Sequence, residues 1–333
     1  MEALNADTKY YISFDGGGTK LLGLLFDSYG NILGKTRAGG VNTTVHSEET
    51  VNARIDGCVK DLLSQGAEKG VRINEIQMVT ASRAGDSYFK SVNRFVPCRE
   101  HFHTSEGLLG VLTSGRTTAL CALSGTGSDI FYIKDCEEID VIGGWGYYLG
   151  DEGSGTWIGR KAIRSLMRAL SGLAPFTTMH NLIMEESGAR TENDVLELIY
   201  GQSSIAYYTG TFCKTVEKAA KQGDKEAPEI LRSAGRELAA QTVDMMKKHD
   251  LPGNMKLCVT GSVFTFCDIM RESFLENVKK TYPEIDFAPP EYLPVVGGVI
   301  YCLLKEKSDN AGNDNDISEI MSMIEPTCRE YKI

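Results

Sequence analysis

The chain has 333 residues, a length that can bury a substantial core and, from the usual size of domains, predicts two of them. Its composition, 42% hydrophobic and 24% charged, is typical of a globular protein, and 35 basic against 45 acidic side chains give a net charge of −10, which argues against nucleic-acid binding. The absence of a basic-then-apolar leader, of an apolar run near the ~18 residues of a membrane span and of CxxC pairs among nine cysteines predicts a cytoplasmic protein without membrane contact.

The first third of the chain is predicted to form one α/β unit. Apolar runs at residues 10–15, 21–27 and 32–38 predict three strands, and the turn at 28–31 joins the last two as a hairpin. Apolar residues at helical spacing predict a helix over 47–68. A buried strand at 75–81 and a helix around 88–95 complete the unit.

The same pattern starts again at residue 117. Strands are predicted at 119–123, 130–134 and 139–142, followed by a long helical region from about 154, a strand at 255–259 and helices from 268 and 295. These elements predict a domain at 1–116, a second domain at 117–305 with a helical insertion, and a linker at 306–316. A C-terminal helix within 317–333 is expected to pack back on the body of the protein.

Two glycine loops follow the first strand of each half. The first glycine loop (residues 15–20) reads Asp-Gly-Gly-Gly-Thr-Lys, and the second (residues 124–128) reads Ser-Gly-Thr-Gly-Ser. A strand that turns through glycines presents backbone N–H groups that bind phosphate oxygens, and Thr19 and Thr126 add hydroxyls. Asp15 is suited to hold Mg²⁺ through water. Either loop alone is typical of an ordinary turn, but the repeated pair favours two half-domains that bind one nucleotide.

A third glycine-rich stretch, the Gly-Trp-Gly segment (residues 143–154), carries a carboxylate near a tryptophan. It is predicted to supply the acceptor pocket, with Asp151 hydrogen-bonding hydroxyl groups. Trp145 is equally consistent with an apolar face for a sugar ring and with a core aromatic. Glycines at 30–36 and 153–159 do not have the spacing or context of the Walker A or dinucleotide-binding motifs.

With these three motifs, nearly the whole chain resembles the N-acetylglucosamine kinases of the BadF/BadG/BcrA/BcrD ATPase family. The Gly-Trp-Gly segment is the specific part of the resemblance, because other sugar kinases share only the glycine loops. The resemblance implies an α/β fold of two ribonuclease H-like (actin-like ATPase) domains around a central nucleotide and sugar cleft. It further implies ATP and Mg²⁺ as cofactors, an amino sugar as substrate and a homodimer.

The resemblance also implies roles for individual residues. Those expected to bind the nucleotide are Asp15, Gly16, Gly17, Gly18, Thr19, Lys20, Gly125, Thr126, Gly127, Gly261 and Ser262, with Asp15 also holding Mg²⁺ through water. Those expected to bind the sugar are Asn42, Glu106, Ser128, Asp129, Gly144, Trp145, Gly146 and Asp151. Taken alone, Asn42 and Asp129 are equally typical of solvated loops.

The catalytic base is where this chain departs from the family. The family has an aspartate, and ungapped counting back from the second glycine loop puts Glu106 at that position. The extra methylene shifts the carboxylate by about one carbon–carbon bond. Glu106 is the expected base, with Asp86 and Asp151 as alternatives, although a carboxylate there also suits a helix N-terminus.

The segment before Glu106 raises the alternative of a metal site. Cys98, His101, His103 and Glu106 are all metal-ligating residue types. Cys-x₂-His-x-His has no second half, and in an extended segment its residues point to alternate faces, so a structural zinc site is not favoured.

The function that these features favour is transfer of the ATP γ-phosphate to the 6-hydroxyl of an amino sugar, most simply N-acetylglucosamine. Glucosamine and N-acetylmuramic acid are alternative acceptors. A dehydratase-activating ATPase of the same family is a second alternative, which needs paired cysteines for a shared iron–sulfur cluster. Cys121 and Cys136 are the nearest pair, but the first is expected in the core and the second on the surface. A sugar-responsive binding protein is a third alternative.

Overall fold

A computed structural model describes residues 8–18, 20–43, 46–82, 86–202, 204–307 and 312–333. Over these residues the chain is a mixed α/β protein with two five-stranded sheets. It divides into two compact units, the first made of Met1–Ala119, Ile133–Glu138 and Pro290–Ile333 and the second of Leu120–Tyr132 and Ile139–Pro289. Within the described ranges, no helix has both the length and the apolar character to cross a membrane.

The first unit contains a sheet with strand order β3-β2-β1-β4-β5. Its strands are β1 Tyr10–Gly16, β2 Lys20–Asp27, β3 Ile32–Gly39, β4 Ile76–Ser82 and β5 Cys98–His103. β1, β2 and β3 pair antiparallel, whereas β4 is parallel to both β1 and β5. Asp15 is level with Ser82, and Ala81 is level with His103, so the carboxyl ends of β1, β4 and β5 share one edge.

Helices cover this sheet. They are α1 Glu48–Glu68, α2 Ser87–Phe95, α3 Glu106–Thr113, α13 Pro294–Lys307 and α14 Asp314–Cys328, followed by a short 3₁₀ turn at Arg329–Tyr331. The predicted helix α1 forms because Ser47 caps it by accepting a hydrogen bond from the Thr50 N–H, and because Val51, Ile55 and Leu62 are buried on one face.

α13 packs against β1 and α3 in the first unit, whereas the sequence grouped residues 295–305 with the second domain. A Cβ at Gly298 would overlap the hydroxyl groups of Ser13 and Thr80, so glycine permits this close approach. Ser13 also donates a hydrogen bond of 2.7 Å to the Val295 carbonyl at the start of α13. The predicted domain boundaries stay a prediction.

The second unit is built on the other sheet, with strand order β10-β9-β6-β7-β8. Its strands are β6 Ala119–Ser124, β7 Ser128–Lys134, β8 Glu137–Gly143, β9 Lys256–Thr260 and β10 Asp286–Phe287. β9 is parallel to β6 and β10. Every residue of β6 is buried, as expected of a central strand.

The predicted helical region of this unit consists of several helices. They are α4 Gly146–Leu149, α5 Gly155–Leu170, α6 Thr178–Ser187, α7 Glu192–Tyr200, α8 Ile205–Thr211, α9 Cys213–Lys221, α10 Ala227–Lys248, α11 Ser262–Phe266 and α12 Asp268–Thr281. The most extensive helix contact joins α10 and α12. Gly235 allows it, since a Cβ there would lie 2.5 Å from the Met270 carbonyl oxygen.

A buried serine–histidine–glutamate arrangement lies among these helices. Ser165 Oγ is 2.9 Å from Nε2 of the fully buried His180 and donates to Glu226. Nδ1 of His180 accepts a hydrogen bond from the Thr177 N–H, so a neutral ring must carry its proton on Nε2 and donate to Ser165. The histidine therefore does not activate the serine as a nucleophile and instead holds α6 in place. Burial lowers the pKa of His180.

Candidate functional site

Ser82 holds the first glycine loop at the end of β1. Ser82 Oγ donates to Asp15 Oδ1 at 3.1 Å and accepts from the Gly16 N–H at 3.2 Å. The Gly17 N–H donates to the Lys20 carbonyl at 2.9 Å, which closes the turn. Gly18 is half-buried beside them, and Thr19 lies outside the described residues. The loop is thus a tight, glycine-lined turn with a positioned carboxylate.

Tyr88, in the first turn of α2, lies beneath this loop and was not predicted from the sequence. It is 1% exposed, and within the described parts of the chain its hydroxyl has no hydrogen-bond partner. A Cβ at Gly16 would overlap this hydroxyl, so the loop requires glycine there. Burial, and secondarily the Asp15 carboxylate, raises the pKa of Tyr88. The available signal was an aromatic residue just after the 83–85 turn that follows β4.

Asn42 lies in the turn after β3 and is half-exposed. Its neighbour Val41 donates its N–H to the Gly17 carbonyl at 2.9 Å, so the Asn42 turn is joined directly to the first glycine loop. Arg54 of α1 donates to the Gly40 carbonyl and fixes the other side of the turn. Arg54 is a second supporting residue that sequence reasoning missed.

Glu106 is the first residue of α3, three residues after β5 ends, and is half-buried. Ser105 caps the helix by accepting from the Leu108 N–H at 3.1 Å, and Thr104 donates its N–H to Ala81 of β4 at 2.9 Å. A carboxylate in the first turn is favoured by the helix dipole, as the sequence allowed. Glu106 therefore lies at the same sheet edge as Asp15, where a base is expected.

The alternative carboxylates and the predicted metal ligands are arranged differently from the sequence expectation. Of the described residues, Asp86, His101 and His103 form a group with metal-ligand spacing that includes neither Cys98 nor Glu106. Cys98 is buried, whereas His101 and His103 are exposed, because alternate residues of β5 face opposite ways. The four-residue zinc site is therefore not assembled.

The second glycine loop is fixed to the start of α5. The Gly125 N–H donates to the Gly127 carbonyl at 2.9 Å, and the Gly155 N–H donates to the Gly125 carbonyl at 2.8 Å. Thr156 Oγ1 donates to the carbonyl of the exposed Thr126 at 2.7 Å. The loop and the first turn of α5 therefore form one hydrogen-bonded structure.

Asp151 contacts this loop directly. It is 8% exposed and has a left-handed backbone with φ of 60°. Its Oδ1 lies 3.4 Å from the Ser128 N–H nitrogen, and a Cβ at Gly127 would lie 3.0 Å from the same oxygen. Ser128 Oγ also donates to the Glu152 carbonyl at 2.8 Å. The sequence treated Asp151 as separate from both phosphate loops, but it packs against the second one.

Asp129 and Gly144 are also brought together. The Gly144 N–H donates to the Ser128 carbonyl at 3.2 Å, and Gly144 has φ of 66°. A Cβ at Gly144 would overlap Asp129 Oδ1. The two predicted sugar-site residues therefore depend on each other for their positions.

Trp145 is 64% exposed in this structure, so it is not a core aromatic. Gly146, with φ of 79°, starts the short helix α4 directly after it. Arg160 of α5 donates to the Tyr147 carbonyl at 2.6 Å and anchors the turn. The indole is thus held on the surface of the second unit by backbone constraints around it.

Gly261 and Ser262 lie between β9 and α11. Gly261 has φ of 99°, and a Cβ there would overlap the Ser124 carbonyl oxygen. Since Thr260 is level with Leu123 in the parallel pair β6–β9, the predicted adenosine segment lies beside the second glycine loop.

The cysteines give no support for a cluster. Cys121 is buried in β6, as expected, but Cys136 is also buried, at 5% exposure, so its predicted surface position was wrong. Burial raises the pKa of Cys136 to about 12. Its N–H donates to the Thr117 carbonyl at 2.9 Å, which holds the β7–β8 turn inward.

The chain matches the model of the BadF/BadG/BcrA/BcrD ATPase family over residues 14–302, and it belongs to this family. It is 24% identical over 308 residues to the N-acetylmuramic acid/N-acetylglucosamine kinase of Clostridium acetobutylicum, covering 88% of this chain and 97% of that protein. It is 22% identical over 270 residues to glucosamine kinase GspK of Vibrio cholerae, covering 76% and 85% of the two chains.

The fold is also shared with solved structures. The crystal structure of a Porphyromonas gingivalis protein described as a candidate N-acetylglucosamine kinase matches with a TM-score of 0.68 at 21% identity, over 90% of this chain and 99% of that chain. The expected α/β fold of the sugar-kinase and actin-like ATPase type is therefore confirmed.

Proposed function

We propose that this protein is an ATP-dependent kinase that transfers the γ-phosphate to the 6-hydroxyl of an amino sugar, with N-acetylglucosamine as the leading acceptor. The carrying observation is the contact between Asp151 and Gly127, which joins a carboxylate suited to sugar hydroxyls to a phosphate-sized glycine loop. Membership of an ATPase family and the names of the two relatives support the same activity.

The residues of both glycine loops fit a nucleotide with Mg²⁺. Asp15 is half-buried and held by Ser82, and a Cβ at Gly16 has no room, which leaves the backbone accessible to phosphate oxygens. Mg²⁺, when bound, neutralises phosphate charge, and Asp15 would hold it through water. The adenosine is assigned to Gly261 and Ser262.

The acceptor sugar is assigned to Asn42, Ser128, Asp129, Asp151 and the residues 144–146. Asn42 and the two aspartates offer hydrogen-bond acceptors for hydroxyl groups, and the exposed Trp145 offers an apolar face to the ring. Glu106 takes the proton of the acceptor hydroxyl as its oxygen bonds to the γ-phosphorus, while the bond to the β-phosphate oxygen breaks and ADP leaves.

Glucosamine and N-acetylmuramic acid remain alternative acceptors, because the two relatives are named for these sugars as well. A dehydratase-activating ATPase or a sugar-responsive binding protein would differ in a simple way. The first would purify with the brown colour of an iron–sulfur cluster, and the second would bind sugar without turnover. The homodimer also remains a proposal.

The test is an ADP-release assay with Mg²⁺ and each of the three amino sugars, with glucose as the matched sugar control. We expect ADP release only when an amino sugar is present, and a product one phosphate heavier by mass spectrometry. Phosphorus–proton NMR then assigns the phosphorylated hydroxyl. Sugar-independent ATP hydrolysis, without a phosphorylated product, would reject the kinase proposal.

A further inference from the structure

Three metal-ligating side chains converge at the carboxyl edge of the first sheet. His101 and His103 are two residues apart on β5, so both side chains emerge from the same face. Asp86 lies opposite them at the start of α2. The Phe89 ring of α2 stacks on the His101 ring with centroids 4.4 Å apart, which orients that imidazole.

The spacing of the ligand atoms suits one shared ion. Asp86 Oδ1 lies 3.6 Å from His101 Nε2 and 3.4 Å from His103 Nε2, and all three ligand atoms lie within 4.8 Å of one another. A tetrahedral Zn²⁺ with ligands at about 2.0–2.1 Å separates them by roughly 3.3–3.4 Å. Only the two histidine nitrogens need to approach each other, by about 1 Å or slightly more.

Simple ion pairing explains the arrangement less well. A hydrogen bond from an imidazole N–H to a carboxylate is shortest and strongest at about 2.7–2.9 Å, and both separations exceed this. Two imidazole nitrogens converging on one carboxylate oxygen at these distances match the geometry of neighbouring ligands better than that of two strong hydrogen bonds.

We propose that Asp86, His101 and His103 bind one divalent transition-metal ion of the Zn²⁺ class, with water in the fourth position. Two imidazoles and a carboxylate favour Zn²⁺ over Mg²⁺, which prefers oxygen ligands and retains its water. The side chains are 38–60% exposed, so the ion exchanges with solvent.

This ion is distinct from the Mg²⁺ assigned to Asp15. β5 is two strands from β1, so the two positions are about 10 Å apart along the sheet edge. His103 also lies three residues before Glu106, and a bound ion would therefore tie the start of α2 to the strand that leads into α3. Binding at these residues does not depend on the proposed kinase activity.

Calorimetric titration of the metal-free full chain with Zn²⁺, at constant Mg²⁺, tests the proposal. We expect one ion per chain in the wild type and an affinity at least about tenfold lower in both His101→Ala and His103→Ala. His249→Gln is the matched control, since His249 pairs with a single carboxylate, Asp140, at 2.6 Å. Circular dichroism confirms that these variants are folded.

Cobalt(II) gives an independent readout, because a tetrahedral site with histidine ligands absorbs visible light more strongly than hydrated Co²⁺. We expect this absorption in the wild type and in His249→Gln, and its loss in His101→Ala. The absence of saturable Zn²⁺ binding in the wild type would overturn the proposal. So would binding that survives in His101→Ala and His103→Ala but is lost in His249→Gln.

Discussion

Two buried tyrosines of the first unit give opposite predictions for the same substitution. Both Tyr11 and Tyr88 are 1% exposed. Tyr11 donates a hydrogen bond of 2.6 Å to the Glu306 carboxylate, whereas the Tyr88 hydroxyl has no partner among the residues that the structure describes. We therefore expect Tyr11→Phe to destabilise the first unit and Tyr88→Phe to stabilise it.

The magnitudes follow from the two environments. A hydrogen bond to a charged group contributes about 1.5–3 kcal/mol, so Tyr11→Phe should lower the free energy of unfolding by that amount. A buried hydroxyl without a partner costs roughly 1–3 kcal/mol, so Tyr88→Phe should raise it by about 1 kcal/mol or more. The two variants should thus differ by about 3 kcal/mol, or roughly a hundredfold in the unfolding equilibrium.

Amide hydrogen exchange of β1, β2 and β4 is the suitable assay, because it reports the opening of this unit separately from the other one. We expect slower exchange in Tyr88→Phe and faster exchange in Tyr11→Phe, each relative to the wild type. Faster exchange in Tyr88→Phe, by an amount corresponding to more than about 1 kcal/mol, would refute the reasoning, because the hydroxyl would then have a stabilising partner.

The remaining predictions concern the candidate site and pH. Glu106→Gln should lower kcat about 10²–10⁴-fold in the ADP-release assay while Glu106→Asp stays active; an unchanged kcat would pass the role of base to Asp86 or Asp151. Asp151→Asn, which tolerates the left-handed backbone, should raise the sugar KM about tenfold or more, and an effect on the ATP KM alone would contradict its assignment. Gly261→Ala should destabilise the chain by at least about 1–2 kcal/mol in urea unfolding, through its left-handed backbone and the overlap with Ser124. Because burial lowers the pKa of His180, the unfolded chain binds more protons below pH about 6.5, so stability should fall with pH there, and less steeply in His180→Gln.

Local sequence patterns were sufficient where burial and backbone geometry are set by near neighbours. The apolar runs predicted β1, β2 and β3 within about a residue of their observed bounds, and helical spacing predicted α1. The C-terminal helix starts at Asp314, three residues before its predicted start, because Asn313 and Asp316 form a capping box. That signal was present in the predicted linker.

Edge strands were harder to recognise. β5 carries mostly exposed, charged or histidine side chains, so it lacks the apolar alternation of an internal strand, and its pairing with β4 makes it a strand. β10 has only two residues and offers no periodicity. Both are defined by a neighbouring strand and not by their own composition.

The sequence by itself determined that two glycine loops follow two buried strands, since each loop depends on adjacent residues. Only the tertiary structure decided that α13 packs in the first unit, that Tyr88 lies beneath Gly16, and that Asp151 contacts Gly127. It also decided that Asp86, and not Cys98, joins the two histidines of β5. These contacts join residues that are distant along the chain, and they form because burial of apolar surface brings whole strands and helices together before any single side chain selects its partner.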